Sequence, residues 1–275
     1  MSRIEEALKK AAGKREAVRS REQDFVAPVK PTSAAEKKVE AHNLNTLLDV
    51  APLEINNVLI ATAREEKTVI VEEYNKLRST IIALTQGENF RNTLLVTSTA
   101  SSEGKSMTSL NLAISLAKEQ DHTVLLVDSD LRRPSLHHYL GISPEYGLVH
   151  CLRDGLPIEK ALVKTGVGKL VFLPAGEAVK EPLDMLASNR MKKVINELKE
   201  RYRDRYVIFD TPPALPFADA GVLAGMVDAC LFVVREGTPK QSDLLKTLED
   251  FKGQLLGIVY NDAHAFTKKH DYYYY

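Results

Sequence analysis

The chain is predicted to be an α/β protein. Its central sheet is mostly parallel with helices on both faces, and it adds a helical or disordered N-terminal extension and a flexible C-terminal tail. Three observations carry this. Short apolar runs recur at 93–97, 123–127, 170–173, 206–209, 229–234 and 256–260, and uninterrupted runs of that length suit strands buried on both faces. Helical patterns separate them, such as Met191, Val194, Ile195, Leu198 and Tyr202, or Leu244, Leu245, Leu248 and Phe251. Such strand–helix alternation is how a parallel sheet covered on both sides is written in sequence. Finally, 275 residues with 44% hydrophobic and 27% charged side chains have the composition of a globular protein able to bury a core.

Along the chain, residues 1–25 form a charged amphipathic segment with Ile4, Ala7, Leu8 and Ala11 at helical spacing. Residues 26–64, with Pro28, Pro31 and Ser33, read as a linker. A helix carrying Ile70, Tyr74, Leu77, Ile81 and Leu84 on one face opens the main domain, 65–263. Residues 264–275 are a tail ending in Tyr272, Tyr273, Tyr274 and Tyr275.

Composition narrows the function. Lys+Arg and Asp+Glu are 37 each, so no basic surface for nucleic acid is expected. Cys151 and Cys230 lack CxxC partners, which argues against a disulfide scaffold or a cysteine zinc site. The spacing of His137, His138, His150 and Cys151 matches no zinc motif either. No apolar run approaches the ~18 residues of a membrane span, and there is no signal-peptide core. A cytoplasmic protein is expected.

The chemistry concentrates at three strand ends. The run 93–97 leads into Ser98-Thr99-Ala100-Ser101-Ser102-Glu103-Gly104-Lys105-Ser106, and a helical pattern starts at Met107. A small-residue loop between a buried strand and a helix N-terminus collects backbone N–H groups and the positive end of the helix dipole, and so binds phosphate. Lys105 is positioned for the β- and γ-phosphates of a nucleotide, and the Ser106 hydroxyl for Mg²⁺. The full phosphate-loop pattern has glycine where this chain has Thr99, so only its Gly-Lys-Ser end matches. The second run ends in Asp128-Ser129-Asp130-Leu131-Arg132-Arg133, and 206–209 ends in Asp210. Ligands of open α/β sheets sit beyond the carboxyl ends of the strands. There Asp128, Asp130 and Asp210 can hold a cation or accept a proton, and Arg132 and Arg133 can pair with phosphate or with acidic residues.

These motifs resemble those of the bacterial tyrosine kinases, P-loop autokinases of polysaccharide export. The resemblance rests on Glu103-Gly104-Lys105-Ser106, on the Asp-x-Asp-x-Arg of Asp128 to Arg132, and on the segment 207–213, and it spans about 65–275. The opening Met1-Ser2-Arg3-Ile4-Glu5-Glu6-Ala7-Leu8 is similar to that of the exosortase-associated subgroup. The resemblance implies a P-loop NTPase fold and ATP-dependent phosphorylation, in trans, of Tyr272, Tyr273, Tyr274 and Tyr275. It implies ATP held by Ser101, Ser102, Glu103, Gly104, Lys105, Ser106, Met107, Arg132 and Asn261, with Asn261 near the adenine. Mg²⁺ is expected on Ser106, Asp210 and one of Asp128 or Asp130, the other taking the tyrosine proton, with Asp128 favoured. Family members often have glycine at Ser102, and the family's Glu-x-x-Arg-x-x-Arg assembly helix survives as Glu72 and Arg78, with Asn75 between. Expected partners are further copies of the chain, a membrane polysaccharide co-polymerase as a separate activator, and a tyrosine phosphatase. The protein would lie against the inner face of the membrane through that activator. The rival readings are an ATPase switch of the partition and division-site type and an ATP-dependent regulatory module. The former carries a signature lysine where this chain has Ala100.

Overall fold

The structure, a computed structural model, describes residues 51–263 apart from 56, 65, 67, 88 and 202–204. The expectations for 1–25, Tyr202 and 264–275 lie outside the described residues.

After a 3₁₀ turn at Ala61–Ala63, the elements are α1 (Val69–Thr85), β1 (Thr93–Ser98), α2 (Lys105–Ala117), β2 (Thr123–Asp128), α3 (Leu136–Leu140), α4 (Leu148–Arg153), α5 (Ile158–Ala161), β3 (Val163–Lys164), β4 (Leu170–Leu173), α6 (Leu183–Leu186), α7 (Asn189–Arg201), β5 (Arg205–Asp210), α8 (Asp219–Ala224), β6 (Ala229–Arg235), α9 (Gln241–Asp250) and β7 (Leu255–Asn261). The sheet order is β3-β4-β2-β5-β1-β6-β7. Only the short β3 runs antiparallel; the other pairings are parallel. All six runs expected as strands are strands, and β3 is the addition.

The apolar runs divide by alternation, since successive strand side chains point to opposite faces. Leu94, Val96, Val124, Leu126, Tyr206 and Ile208 join Leu110, Ala113 and Ile114 of α2 in one core. Leu95, Leu125, Val127, Val207, Phe209 and Phe232 join Met191, Val194, Ile195 and Leu198 of α7 and Leu223 of α8 in the other. Two cores on one sheet explain why β1, β2, β4 and β5 are buried along their whole length.

Two expectations are corrected. The linker reading of 26–64 fails at its C-terminal end. Leu53 N–H donates to Thr165 O at 2.9 Å, Ile60 is fully buried, and the Thr62 hydroxyl bonds Asn111 Oδ1 at 3.0 Å. The inward face of α1 is also rotated. Ile81 is buried, but Ile70 and Leu84 are 58% and 52% exposed. The cause is polar docking on α2: Arg78 Nη1 donates to Ser115 O at 3.0 Å, and Ser115 Oγ donates to Asn75 Oδ1 at 3.2 Å.

The end of α1 is anchored by a buried pair. Thr85 Oγ1 donates to Ile81 O at 2.7 Å, which leaves the Tyr206 hydroxyl to donate to Thr85 Oγ1, also at 2.7 Å. Tyr206→Phe is expected to lower unfolding free energy by about 1 kcal/mol, read as a lower denaturant midpoint at unchanged slope.

Candidate active site

Sheet order brings the chemistry together. β5 lies between β2 and β1, and Asp128 is the register partner of Asp210. Lys105 opens α2, the helix that follows β1. A pocket of about 360 Å³ opens there, lined among others by Ser101, Ser102, Gly104, Lys105, Ser106 and Asp130.

The phosphate loop departs from a glycine-rich one, and its neighbours compensate. Ser102 adopts φ 65° and Gly104 φ 91°. Both are left-handed, a conformation that costs a serine more than a glycine. Gly104 is doubly required, because a Cβ there would meet Asn261 Nδ2 at 2.0 Å. A second loop braces the first: Ala214 N–H donates to Ser98 O at 2.8 Å and Leu215 N–H to Thr99 O at 3.1 Å. The helical ladder of α2 begins with Thr108 N–H on Gly104 O, leaving the amides of the first turn without helical partners, ready for an anion.

The four central charges have different surroundings. Lys105 Nζ lies 3.4 Å from Asp130 Oδ2. Burial works against its ammonium, but Asp210 and Asp130 outweigh burial and hold its pKa above the ordinary lysine value. Asp210 is fully buried. Burial pushes its carboxyl up, while Lys105 and the Ser106 and Ser109 hydroxyls pull the other way. Its Oδ1 accepts from Ser109 Oγ at 3.0 Å, and its Oδ2 has no hydrogen-bond partner among the described residues. Asp128 Oδ2 accepts from the N–H groups of Ser135 and Leu136 at 3.1 Å each, and Oδ1 from Asp130 N–H at 3.3 Å. Burial first, and Asp210 second, push the Asp128 carboxyl up to about 8 against those three donors.

Several sequence expectations shift accordingly. Ser101, Ser102, Gly104, Lys105, Ser106 and Met107 line the pocket. Asp128 does not: it is buried, and both its oxygens serve the turn that launches α3. The Glu103 carboxylate is not on the pocket either; Oε2 turns back into the loop and accepts from Ala100 N–H at 2.7 Å. Asn261 Nδ2 donates to Glu103 O at 2.9 Å, so the asparagine steadies the loop. Arg132 lines the pocket, but its donors are committed. Nε and Nη2 grip the buried Asp219 at 2.6 and 3.0 Å, Nη1 donates to Lys180 O, and the guanidinium lies 4.4 Å above the Phe217 ring. Arg78 ties α1 to α2 within the chain, and Glu72 is exposed.

The sequence reading does not select Tyr139, Pro212, Pro213, Pro216 or Phe217, and it leaves Arg133 undecided, yet all six line the pocket. Pro212 and Pro213 follow Asp210 after the single residue Thr211, which is a usable signal. The pairing of Asp219 with Arg132 spans 87 positions and leaves no local trace.

The arrangement defines a P-loop nucleotide-binding protein. An amide-rich loop, a lysine, a hydroxyl and a carboxylate with a bare oxygen converge at the carboxyl end of a parallel sheet. Those oxygens are the hard donors that suit a small divalent cation. The comparisons agree. The CobQ/CobB/MinD/ParA nucleotide binding domain family matches residues 94–268. Tyrosine-protein kinase YwqD of Bacillus subtilis is 32% identical over 222 residues, covering 80% of this chain and 91% of that protein. Tyrosine-protein kinase Etk of Escherichia coli is 31% identical over 195 residues, covering 70% of this chain but 26% of that longer protein. The solved kinase domain of Escherichia coli Etk superposes with a TM-score of 0.66 at 27% identity, covering 74% of this chain and 80% of that one. The chain belongs to the CobQ/CobB/MinD/ParA nucleotide-binding family and, within it, to the bacterial tyrosine-protein kinases.

Two outcomes follow from this geometry. Arg132→Ala strands a fully buried Asp219 carboxylate. Because the arginine is itself partly exposed, the loss sits at the low end for a broken buried pair, about 3 kcal/mol, measurable by denaturant titration. The second concerns pH. The Asp128 pKa is about 8 in the fold and about 4 in an unfolded chain, so the folded state holds the extra proton between those values. The stability this adds is complete below pH ~4 and is lost as pH rises through ~8. Asp128→Asn should flatten the fall in thermal midpoint between pH ~5 and ~8; an unchanged slope contradicts the assignment.

Proposed function

We propose that the protein is an ATP-dependent tyrosine autokinase that phosphorylates Tyr272, Tyr273, Tyr274 and Tyr275 on neighbouring copies. The observation that carries this is Asp130, a largely buried carboxylate that lines the pocket with Oδ2 3.4 Å from the phosphate-loop lysine. In the transfer, the bond from the γ-phosphorus to the ADP oxygen breaks and a bond to the phenol oxygen forms. The phenol proton goes to Asp130. This assigns the proton acceptor to Asp130 in place of Asp128, whose oxygens both accept backbone N–H bonds; Asp128 positions the turn instead. The loop amides and Lys105 hold the transferred phosphate, and positioning and charge neutralisation supply most of the rate. Ser106 and Asp210 are the residues that would hold Mg²⁺, Asp210 through its bare Oδ2. When bound, the ion neutralises charge developing on the phosphate oxygens.

Regulation of exopolysaccharide polymerisation and export is the matching physiological role. Among the described residues no helix is long and apolar enough to cross a membrane. A peripheral location through a membrane co-polymerase, self-association involving Glu72 on α1, and removal of phosphate by a tyrosine phosphatase complete the proposal. Ala100 at the signature-lysine position disfavours the partition-type switch.

With Mg²⁺-ATP, intact-mass and peptide analysis should find phosphate on Tyr272 to Tyr275. Lys105→Ala and Asp130→Asn should each slow its appearance by ~100-fold or more. Nucleotide binding with no tyrosine phosphate, even with the activator's cytoplasmic segments present, refutes the kinase reading.

A further inference from the structure

The pocket has a second wall that phosphate binding does not explain. Arg133, Tyr139, Pro216 and Phe217 line the pocket alongside the phosphate loop. Arg133 and Pro216 are exposed, and Tyr139 and Phe217 are half-buried. Rings and prolines of this kind take an aromatic side chain on their faces.

Arg133 differs from its neighbour. The charge of Arg132 is spent on Asp219, whereas the Arg133 guanidinium has no ion pair or hydrogen bond among the described residues. Its backbone, however, is fixed, because Arg133 N–H donates to Asp130 Oδ1 at 3.0 Å. A free cation is therefore tethered beside the carboxylate that opens to the pocket. A guanidinium offers five donors in a planar fork, and a phosphate ester offers nearly two negative charges and three acceptor oxygens.

We infer that Arg133 and this apolar wall form a subsite for the acceptor chain, in which Arg133 holds a phosphotyrosine already made while an adjacent tyrosine occupies the transfer position. The inference rests on the kinase reading and specifies its substrate: a tyrosine run, preferred once partly phosphorylated. Four consecutive tyrosines at 272–275 are such a substrate. In an extended chain, neighbours one or two positions apart are separated by ~3.5–7 Å, within reach of an arginine three residues along the chain from Asp130. Later transfers on one tail are then faster than the first. A tail passes quickly from no phosphate to several.

The test uses the full chain with Mg²⁺-ATP and counts phosphates per molecule by intact mass over time. Wild type should keep the singly phosphorylated species minor throughout. Arg133→Gln should raise its peak share roughly fivefold, the scale of losing one exposed charge pair, with the first-transfer rate and the apparent KM for ATP within about twofold. Arg133→Lys should fall between the two, since a point charge replaces a fork. Unchanged thermal midpoints in both variants confirm that only the exposed side chain was altered. Equal single-phosphate shares in wild type and Arg133→Gln overturn the inference and leave the kinase reading standing. A loss of first transfer as large as the loss of later ones, or a raised KM for ATP, assigns Arg133 to the nucleotide and also overturns it. A wild-type protein that makes no tyrosine phosphate overturns the kinase reading and this inference together.

Discussion

The site is governed by an excess of like charge in a dry place. Asp128, Asp130 and Asp210 crowd around one ammonium, Lys105, at the ends of three adjacent strands. Coulomb energies there are several times their value in water, so three bare carboxylates could not coexist. Each is relieved differently. Asp128 is caged by three backbone N–H groups and tends to hold a proton. Asp130 leans on Lys105. Asp210 has a serine hydroxyl on one oxygen and nothing on the other. What remains unrelieved is therefore local: one buried oxygen beside a loop of free amides. In the proposed function, a cation on that oxygen and phosphate on those amides would complete the charge balance that the fold leaves open.

The same economy shapes the phosphate loop. Where a glycine-rich loop relies on backbone freedom, this one has Thr99 and Ser102 and is held from outside. Carbonyls of Ser98 and Thr99 accept from the loop after Asp210, and the Glu103 carbonyl accepts from Asn261 at the end of β7. The loop is thereby wired to β5, which pairs with β1, and to β7, one strand beyond β6. Asn261 also sits two residues before the last described position, so the root of the tyrosine tail and the phosphate loop share one hydrogen bond.

How much of this was legible depends on the range of the interaction. β2, β5 and β6 were recognisable because both their faces are buried, which forces unbroken apolar runs. β3 was not, since Val163 and Lys164 pair only because β4 lies alongside. The face of α1 was misplaced at its ends, Ile70 and Leu84, because the polar Arg78 and Asn75 share its contact with α2 alongside Leu77 and Ile81. The motif carboxylates were visible as types after strands, but their division of labour was not. Whether an aspartate faces a pocket or a turn depends on residues seven and eight positions on, Ser135 and Leu136, that carry no signal of their own beyond a backbone N–H.

The two arginines show the limit most directly. Arg132 and Arg133 are adjacent and chemically identical, and although the motif resemblance singles out Arg132 for the nucleotide, their residue type alone does not tell them apart. A buried aspartate distant in sequence separates them. By taking both forks of Arg132, Asp219 converts that arginine into a wall and roof for Phe217, a role in which its charge is silent. The neighbour's guanidinium has no acidic partner among the described residues, while its backbone is locked to Asp130. An unpaired, exposed arginine would ordinarily be a solvated surface residue. Here its anchor is the proposed proton acceptor, and its side chain lines the pocket that acceptor opens onto. A charge left free in that position is better explained by a partner that arrives with the substrate than by solvent alone.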